Sequence, residues 1–352
     1  MDNKAYLVLE NGAVFEGFSF GADCDSIGEL VFTTGVCGYN DTLTDQSNYG
    51  QIVLQTFPMV GNYGIIEEAF EGNCAVRGYV VREWCAQPSN FRSNGTLDSF
   101  LKKNGIPAIY GVDTRAITRI LRKEGVMNAK ICKNLPETYT EIKNYKITSA
   151  VNAVTCSEIK LYNAQNAQKN VTVIDYGMKN SLIEALTSRG CNVTVVSAST
   201  SAEDILNAKP DGIVLSSGPA DPKKCVFQTE QIKKLFGKCP VLGIGLGHQL
   251  LALSQSADTY KLKYGHRGTN QPVKEIGGIR TYITSQNHGY AVAEQSVKCG
   301  AISFVNANDQ TVEGINYPDN NAFSVQFYPD TCTAVHNTGF VYDRFVAMME
   351  VK

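Results

Sequence analysis

The second half of the chain alternates between short apolar runs and amphipathic stretches. The runs VTVIDYG, NVTVVSA, DGIVLSSG and PVLGI predict buried strands. Between them, the spacing of apolar residues predicts helices over residues 180–189, 201–208 and 228–236. Strands that alternate with helices predict a mostly parallel sheet covered on both faces, a doubly wound α/β domain. Ligands of such sheets bind at the carboxyl ends of the strands, which directs attention to the loop 216–222 and the turn at Gly245.

The first half has a different pattern, with short alternating strands separated by turn signals. In AYLVLENGAVFEGFSFG, the dipeptide Asn11-Gly12 separates two such runs, which predicts a hairpin. The stretch TRAITRILRKE places apolar residues on one face and predicts a helix over 114–124, with Thr114 as its cap. These elements predict an amino-terminal α+β domain built on strands and hairpins.

A polar, weakly periodic segment separates the two patterns. We interpret residues 151–169 as an interdomain connection between a first domain, 1–150, and a second, 170–352. A chain of 352 residues exceeds what one hydrophobic core usually organises, which agrees with two domains.

Composition narrows the possible classes of function. The formal net charge is -2 without a polybasic tract, so we expect neither nucleic acid nor a membrane surface as a partner. The amino terminus lacks the pattern of a signal peptide, and no apolar run approaches the roughly 18 residues of a membrane span; we therefore expect a cytoplasmic protein. The 11 cysteines form no CxxC pair and there are only 4 histidines, so no metal site is predicted.

The stretch PVLGIGLGHQLLALS predicts a strand that turns sharply into a helix at Gly245. Gly243 and Gly247 stand two residues before and after it, the spacing of a nucleophile elbow, where small residues let strand and helix approach closely. The flanking residues resemble the elbow of class I glutamine amidotransferases, in which the central residue is the catalytic cysteine. Glycine at this position has no nucleophilic atom.

Further motifs extend the resemblance over essentially the whole chain. SSGPADP (216–222) is similar to the glycine-rich substrate loop of that family, and TSQNHGYAV (284–292) resembles a segment of one branch, the small subunit of carbamoyl-phosphate synthetase. The first half agrees with that branch through LVLENGAVFEG, GYNDTLTDQSNYGQIV, TFPMVGNYG, PSNFRS and GVDTRAITRILR. The resemblance implies a small-subunit domain followed by a class I amidotransferase-like domain. It also implies a large synthetase subunit as partner, which would bind ATP and Mg²⁺, and no cofactor in this chain.

A second departure lies near the carboxyl terminus. In the family, a Gly-His-Pro-Glu motif supplies the general base and the carboxylate that orients it, whereas this chain has Phe327-Tyr328-Pro329-Asp330. Tyr328 therefore stands at the base position and Asp330 at the carboxylate position. A phenol with a pKa of about 10 is a poor general base near neutral pH. Loss of both nucleophile and base predicts impaired or absent glutamine hydrolysis.

The positions that hold glutamine in the family are partly kept. Hydroxyl and amide side chains suit the polar ends of an amino acid, and the amides of Gly218 and Leu246 correspond to an oxyanion hole. Because one of these residues, Ser47, belongs to the first domain, the resemblance places the site between domains. Ala220 stands where a second glycine is usual in the substrate loop. By resemblance, the substrate-binding positions are Ser47, Gly218, Ala220, Leu246, Gln249, Asn287, Gly289 and Tyr290.

Three functions remain open from the sequence. The first is a small subunit without glutaminase activity, docked on a large subunit that uses free ammonia. The second is a glutamine-binding pseudoenzyme with a sensing or scaffold role. The third is a glutaminase with displaced groups, for instance Cys332 with His336. We expect His248 to anchor the elbow and His288 to be structural or to line the pocket.

Overall fold

The computed structural model describes residues 3–329 and 337–350. Asp330, Cys332 and His336 lie outside these ranges. The chain divides into two compact units, Met1–Thr148 and Ser149–Lys352. Within the part of the chain that the structure describes, no helix is both long and apolar enough to cross a membrane.

The first unit is built around a sheet that closes on itself in the order β1-β2-β8-β6-β4-β3-β9. Buried apolar side chains from neighbouring strands, among them Val31, Val53, Tyr79 and Ala108, form one core cluster with Leu43 and Leu101, which lie on helices. The elements are β1 (Lys4–Leu9), β2 (Val14–Gly21), β3 (Ser26–Thr33), α1 (Tyr39–Thr44), β4 (Gln51–Gln55), β5 (Met59–Val60), β6 (Gly78–Val80), β7 (Glu83–Trp84), α2 (Leu97–Lys103), β8 (Pro107–Tyr110), α3 (Thr114–Glu124), β9 (Met127–Cys132) and α4 (Thr140–Asn144).

The predicted hairpin and helix of this unit are confirmed. β1 and β2 pair antiparallel, and Gly12 in their turn has a φ of 91°. Helix α3 has the predicted bounds, but its cap is Asp113, whose Oδ1 accepts a hydrogen bond from the Ala116 amide at 2.9 Å. Thr114, predicted as the cap, is the first residue of the helix. Both residue types cap helices well, so the sequence did not decide between adjacent positions.

The second unit contains a ten-stranded sheet in the order β10-β12-β11-β13-β14-β19-β18-β17-β15-β16. Its elements are α5 (Ala150–Val154), β10 (Lys160–Tyr162), β11 (Lys169–Asp175), α6 (Asn180–Thr187), β12 (Cys191–Ser197), α7 (Ala202–Asn207), β13 (Gly212–Leu215), α8 (Val226–Leu235), β14 (Val241–Ile244), α9 (Leu246–Ser254), β15 (Thr259–Glu275), β16 (Thr281–Val292), β17 (Ala301–Asn306), β18 (Val312–Tyr317), β19 (Ala322–Val325) and α10 (Phe340–Met348).

The parallel part of this sheet is the run β12-β11-β13-β14-β19. Helices cover it on both faces: α6 and α10 pack on one, and α7, α8 and α9 on the other. The remaining strands pair antiparallel, so the sheet is less parallel than predicted. The long strands β15 and β16 are joined by a short turn, and strands joined in this way must run antiparallel.

The segment interpreted as an interdomain connection, 151–169, contributes structure to the second unit. It contains most of α5 and all of β10, which pairs antiparallel with β12 through Lys160 and Val195. β10 lies at the edge of the sheet, and Leu161 is 71% exposed. A half-exposed edge strand buries little apolar surface, which explains why this segment has a polar, weakly periodic sequence.

Candidate functional site

The turn between β14 and α9 has the backbone of a strained elbow. Gly245 has a φ of 58° and a ψ of −112°, a combination that residues with a side chain rarely adopt. Its amide donates a hydrogen bond to the Val325 carbonyl on β19 at 3.0 Å. Gly245, the predicted nucleophile position, is therefore held by the parallel sheet, at the carboxyl end of its strand.

The glycines on either side of the elbow are required by close approach. A Cβ atom on Gly247 would overlap the backbone carbonyl of Leu215 on β13, and one on Gly243 would lie 2.8 Å from the Gly247 carbonyl oxygen. Real Cβ atoms essentially never come so near to backbone atoms. The predicted strand–turn–helix motif is thus confirmed, and the cause of its glycine spacing is the tight packing of α9 on β13 and β14.

The two positions predicted to have lost their catalytic groups lie next to each other. An ideal Cβ on Gly245 would be 3.8 Å from Cε1 of Tyr328 and 3.0 Å from Cβ of Ser217. Tyr328 is 3% exposed, and its amide donates to the Ser285 carbonyl on β16 at 2.9 Å. The edge of the phenol ring therefore lies within contact distance of the place that a Cβ at position 245 would occupy. Asp330, predicted as the orienting carboxylate, is outside the described residues.

Lys179 is a site residue that the sequence analysis missed. Its Nζ lies 4.6 Å from the centroid of the Tyr328 ring, and the residue is buried. A cation over an aromatic face is an attractive arrangement. Lys179 follows the carboxyl end of β11, so the strand-end rule that selected the loops after β13 and β14 would also have selected this one.

The predicted oxyanion-hole residues follow two adjacent parallel strands. Gly218 lies in the loop after β13, where a Cβ would overlap the Tyr176 carbonyl, and Ala220 packs against the core beside it. Leu246 is the first residue of α9. The amide of a first helical residue has no acceptor within its own helix.

Gln249 has a different arrangement from the one expected of a ligand-holding residue. Its Nε2 donates to the Tyr290 carbonyl at 2.7 Å and to Oε1 of Gln326 at 2.8 Å. The amide nitrogen thus ties α9 to β16 and to the residue after β19. Gln326 is a second residue that sequence reasoning missed, although it lies in the AFSVQ segment that led to Tyr328.

The remaining predicted positions lie on β16 and in the first unit. Asn287 pairs with Arg267 and Tyr290 with Lys261 across the β15–β16 ladder, with Gly289 between them. β16 is also the strand that bridges to Tyr328, so these three residues belong to the same part of the second unit as the elbow. Ser47 lies in the short turn after α1, where its amide donates to Oδ1 of Asp45 at 2.9 Å.

The expectation that His248 anchors the elbow is confirmed. The side chain is fully buried on α9, and its Nδ1 lies 2.8 Å from Oγ of Ser324 on β19. Burial lowers the pKa of His248 to about 3, so the ring is neutral at pH 7. A neutral imidazole bonded to the sheet fixes the first turn of α9.

His288 on β16 belongs to a buried polar cluster with His266 of β15 and Glu313 of β18. This position agrees with the structural role expected for it. Its ring packs edge-to-face against His266, with centroids 4.9 Å apart. Burial, reinforced by the nearby His266, lowers the pKa of His288 well below its ordinary value. Burial also opposes protonation of His266, yet the neighbouring carboxylates of Asp309 and Glu313 raise its pKa to about 9.

Comparison with known proteins agrees with this architecture. Residues 7–131 match the family described as carbamoyl-phosphate synthase small chain, CPSase domain, and residues 172–348 match glutamine amidotransferase class-I. The carbamoyl phosphate synthase small chain of Lactococcus lactis subsp. lactis is 44% identical over 352 residues, with 99% of each chain covered. That of Streptococcus agalactiae serotype III is 42% identical over 351 residues, covering 99% of this chain and 98% of the relative.

A third relative, the carbamoyl phosphate synthase small chain of Fusobacterium nucleatum subsp. nucleatum, is 44% identical over 347 residues, which cover 97% of this chain and 96% of the relative. Such identity extends through both units, and the two family matches follow each other in chain order. The chain therefore belongs to the carbamoyl-phosphate synthase small chain family, with a class I glutamine amidotransferase domain as its second part.

Proposed function

We propose that this chain is a small subunit of carbamoyl-phosphate synthetase that has lost glutamine hydrolysis. It docks on a large synthetase subunit, which carries out ATP- and Mg²⁺-dependent synthesis of carbamoyl phosphate from free ammonia. The observation that carries the proposal is the residue at the elbow: Gly245 has the backbone of a nucleophile position but no atom that can attack an amide carbon.

The groups near the elbow support this proposal. Hydrolysis requires a base that takes a proton at neutral pH, and a phenol such as Tyr328, with an ordinary pKa of about 10, does so poorly. Loss of a nucleophile alone typically costs on the order of 10⁶-fold in rate, and further losses from the same catalytic unit add little.

The nearest thiol along the chain does not replace the missing one. Cys239 precedes β14, six residues before Gly245, which is about 20 Å along an extended strand. Burial also raises the pKa of its thiol to about 11, so little thiolate forms at neutral pH.

The experiment that tests the proposal is reconstitution with the cognate large subunit. We expect the two chains to co-purify and the complex to make carbamoyl phosphate from ammonium chloride but not from glutamine. The large subunit alone is the control for the ammonia-dependent rate. Glutamine-dependent synthesis by the complex would contradict the loss of hydrolysis, and absence of a complex at micromolar concentrations would contradict the docking role.

A glutamine-binding role without hydrolysis has its own support. Leu246 begins α9, where helix amides point outward, and Asn287 lies on the strand that bridges to Tyr328. Isothermal calorimetry with glutamine tests this function. Heat of binding that Asn287→Ala removes would favour it, and absence of heat at millimolar glutamine with folded protein would exclude it.

The third function, a glutaminase with displaced groups, concerns residues outside the described ranges. Cys332 with His336 is the candidate pair. Any ammonia release from glutamine should then disappear in Cys332→Ala, and release that persists in this variant would eliminate the pair.

A further inference from the structure

Helix α3 of the first unit carries a row of cations on its outer face. It lies in the motif GVDTRAITRILR, which the proposed function does not use. Arg115, Arg119 and Arg122 are exposed, and their spacing of four and three residues places them within an arc of about 60° around the helix axis. Lys123, also exposed, lies beside them. These four residues form the basic face of α3.

The cations of the basic face have no carboxylate partner in the part of the chain that the structure describes. Other cations of the first unit lie within ion-pair distance of a carboxylate, namely Lys4, Arg92, Lys102, Lys130 and Lys133. The basic face is also not the consequence of a basic unit, because residues 1–148 contain 17 acidic and 14 basic side chains. Positive charge is therefore concentrated on one helix of an acidic unit and left without internal compensation.

This arrangement opposes the stability of α3. Arg119 is four residues from Arg115 and three from Arg122, and like charges at these spacings repel each other on a helix surface. The helix dipole favours the cations of the last turn, Arg122 and Lys123, but disfavours Arg115 in the first turn. The fold of the chain alone therefore gives no reason for Arg115 and Arg119, and residues that break such local rules are expected at functional sites.

A row of guanidinium groups suits a surface of carboxylates. Arginine binds a carboxylate through two parallel hydrogen bonds and is weakly hydrated, which favours its use in interfaces. From Arg115 to Lys123 the row spans about 12 Å along the helix axis. Asp113 and Glu124, at the two ends of the row, are exposed carboxylates. They would repel a longer polyanion such as nucleic acid, so the basic face fits a short acidic patch on a protein better.

We propose that the basic face of α3 docks on an acidic patch of the large synthetase subunit. This inference rests on the docking role proposed above and names the surface that carries it. Carboxylates of the partner would remove the repulsion among Arg115, Arg119 and Arg122. Complementary charges of this kind speed association and fix the orientation of the two chains.

The test is the dissociation constant of the complex between the full-length chain and its cognate large subunit, measured by biolayer interferometry from about 50 to 300 mM sodium chloride. We expect the affinity of the wild-type chain to fall as salt rises. The double variant Arg115→Glu with Arg119→Glu should bind at least about 10-fold more weakly at low salt and lose much of the salt dependence. Lys233→Glu, at an exposed cation of α8 in the second unit, is the matched control and should bind like the wild type.

Melting temperatures separate docking from folding. Glutamates at positions 115 and 119 relieve the repulsion and suit the amino-terminal half of α3, so the double variant should be at least as stable as the wild type. A lower melting temperature of this variant would show that the arginines are structural and would contradict the proposal.

The binding results distinguish this inference from the function on which it rests. A wild-type complex that the double variant forms with equal affinity and equal salt dependence would overturn the docking surface and leave the docking role intact. Absence of a wild-type complex at micromolar concentrations would overturn both. Binding of a DNA duplex that the double variant loses, with unchanged affinity for the large subunit, would assign the basic face to nucleic acid and overturn the proposal.

Discussion

The strain at the elbow gives a quantitative prediction for Gly245→Ala. A residue with a side chain at a φ of 58° and a ψ of −112° costs about 1–3 kcal/mol. The added Cβ would lie 3.0 Å from Cβ of Ser217, closer than ordinary contact, and 3.8 Å from the Tyr328 ring, which is ordinary. We therefore expect the free energy of unfolding of the second unit to fall by about 2–3 kcal/mol.

The measurement is hydrogen–deuterium exchange of peptides from α9 across a urea series, which assigns the loss to the second unit. Gly277→Ala is the matched control. Gly277 also has a positive φ, 77°, but an added Cβ would meet nothing within 4 Å, so only a backbone cost of about 1–2 kcal/mol applies. If Gly245→Ala were as stable as wild type, or no worse than Gly277→Ala, the reasoning that the elbow is strained and crowded would be refuted.

Three further predictions follow from contacts of the second unit. Gly247→Ala should destabilise more than Gly245→Ala in the same urea series, because its Cβ would overlap the Leu215 backbone; an equal or smaller loss would contradict the packing account of the elbow. In a coupled ammonia assay, Gly245→Cys alone should release no ammonia from glutamine, whereas Gly245→Cys combined with Tyr328→His should release some; release by the single variant would show that Tyr328 is not limiting. The pKa of His248 falls from 6.5 to about 3 on folding, so the unfolded chain binds a proton that the folded chain excludes. Above about pH 6.5, this group therefore leaves the free energy of unfolding unchanged. Below that pH, the free energy of unfolding falls by about 1.4 kcal/mol per pH unit, or by about 2 kcal/mol at pH 5. His248→Asn should remove that part of the pH dependence, and equal slopes for the two proteins would contradict it.

The parts of the fold that sequence reasoning predicted are those fixed by local requirements. The Asn11-Gly12 hairpin depends on two adjacent residues and on a positive φ at Gly12. The elbow depends on glycines at positions where an added Cβ would overlap the next turn or strand. Helix α3 depends on the periodicity of its own apolar face.

The closure of the first sheet was not predicted, because its parallel pairs β3–β4, β4–β6 and β6–β8 join strands that are not joined by a short turn. The choice of partner strand is a tertiary property and leaves little trace in the local pattern.

In the candidate site, too, the features set by local sequence were predicted and those set by tertiary contacts were not. The positions of Gly245 and Tyr328 were predicted because each lies in a recognisable motif, and the structure brings them together across 83 residues of chain. Lys179 and Gln326 each follow the carboxyl end of a parallel strand, which was a usable signal, but their contacts with Tyr328 and Gln249 join residues distant in the sequence and have no local motif. The cluster of His266, His288 and Glu313 was missed for a related reason: three separate strands contribute one residue each.

The most direct test of the central claim is ammonia release from glutamine by the purified chain, alone and in complex with its cognate large subunit. The account predicts no release above the enzyme-free background in either case, because the elbow presents Gly245 instead of a nucleophile. Release that survives repurification would contradict it and would mean that another residue attacks the amide; Cys332→Ala would then be the first variant to examine.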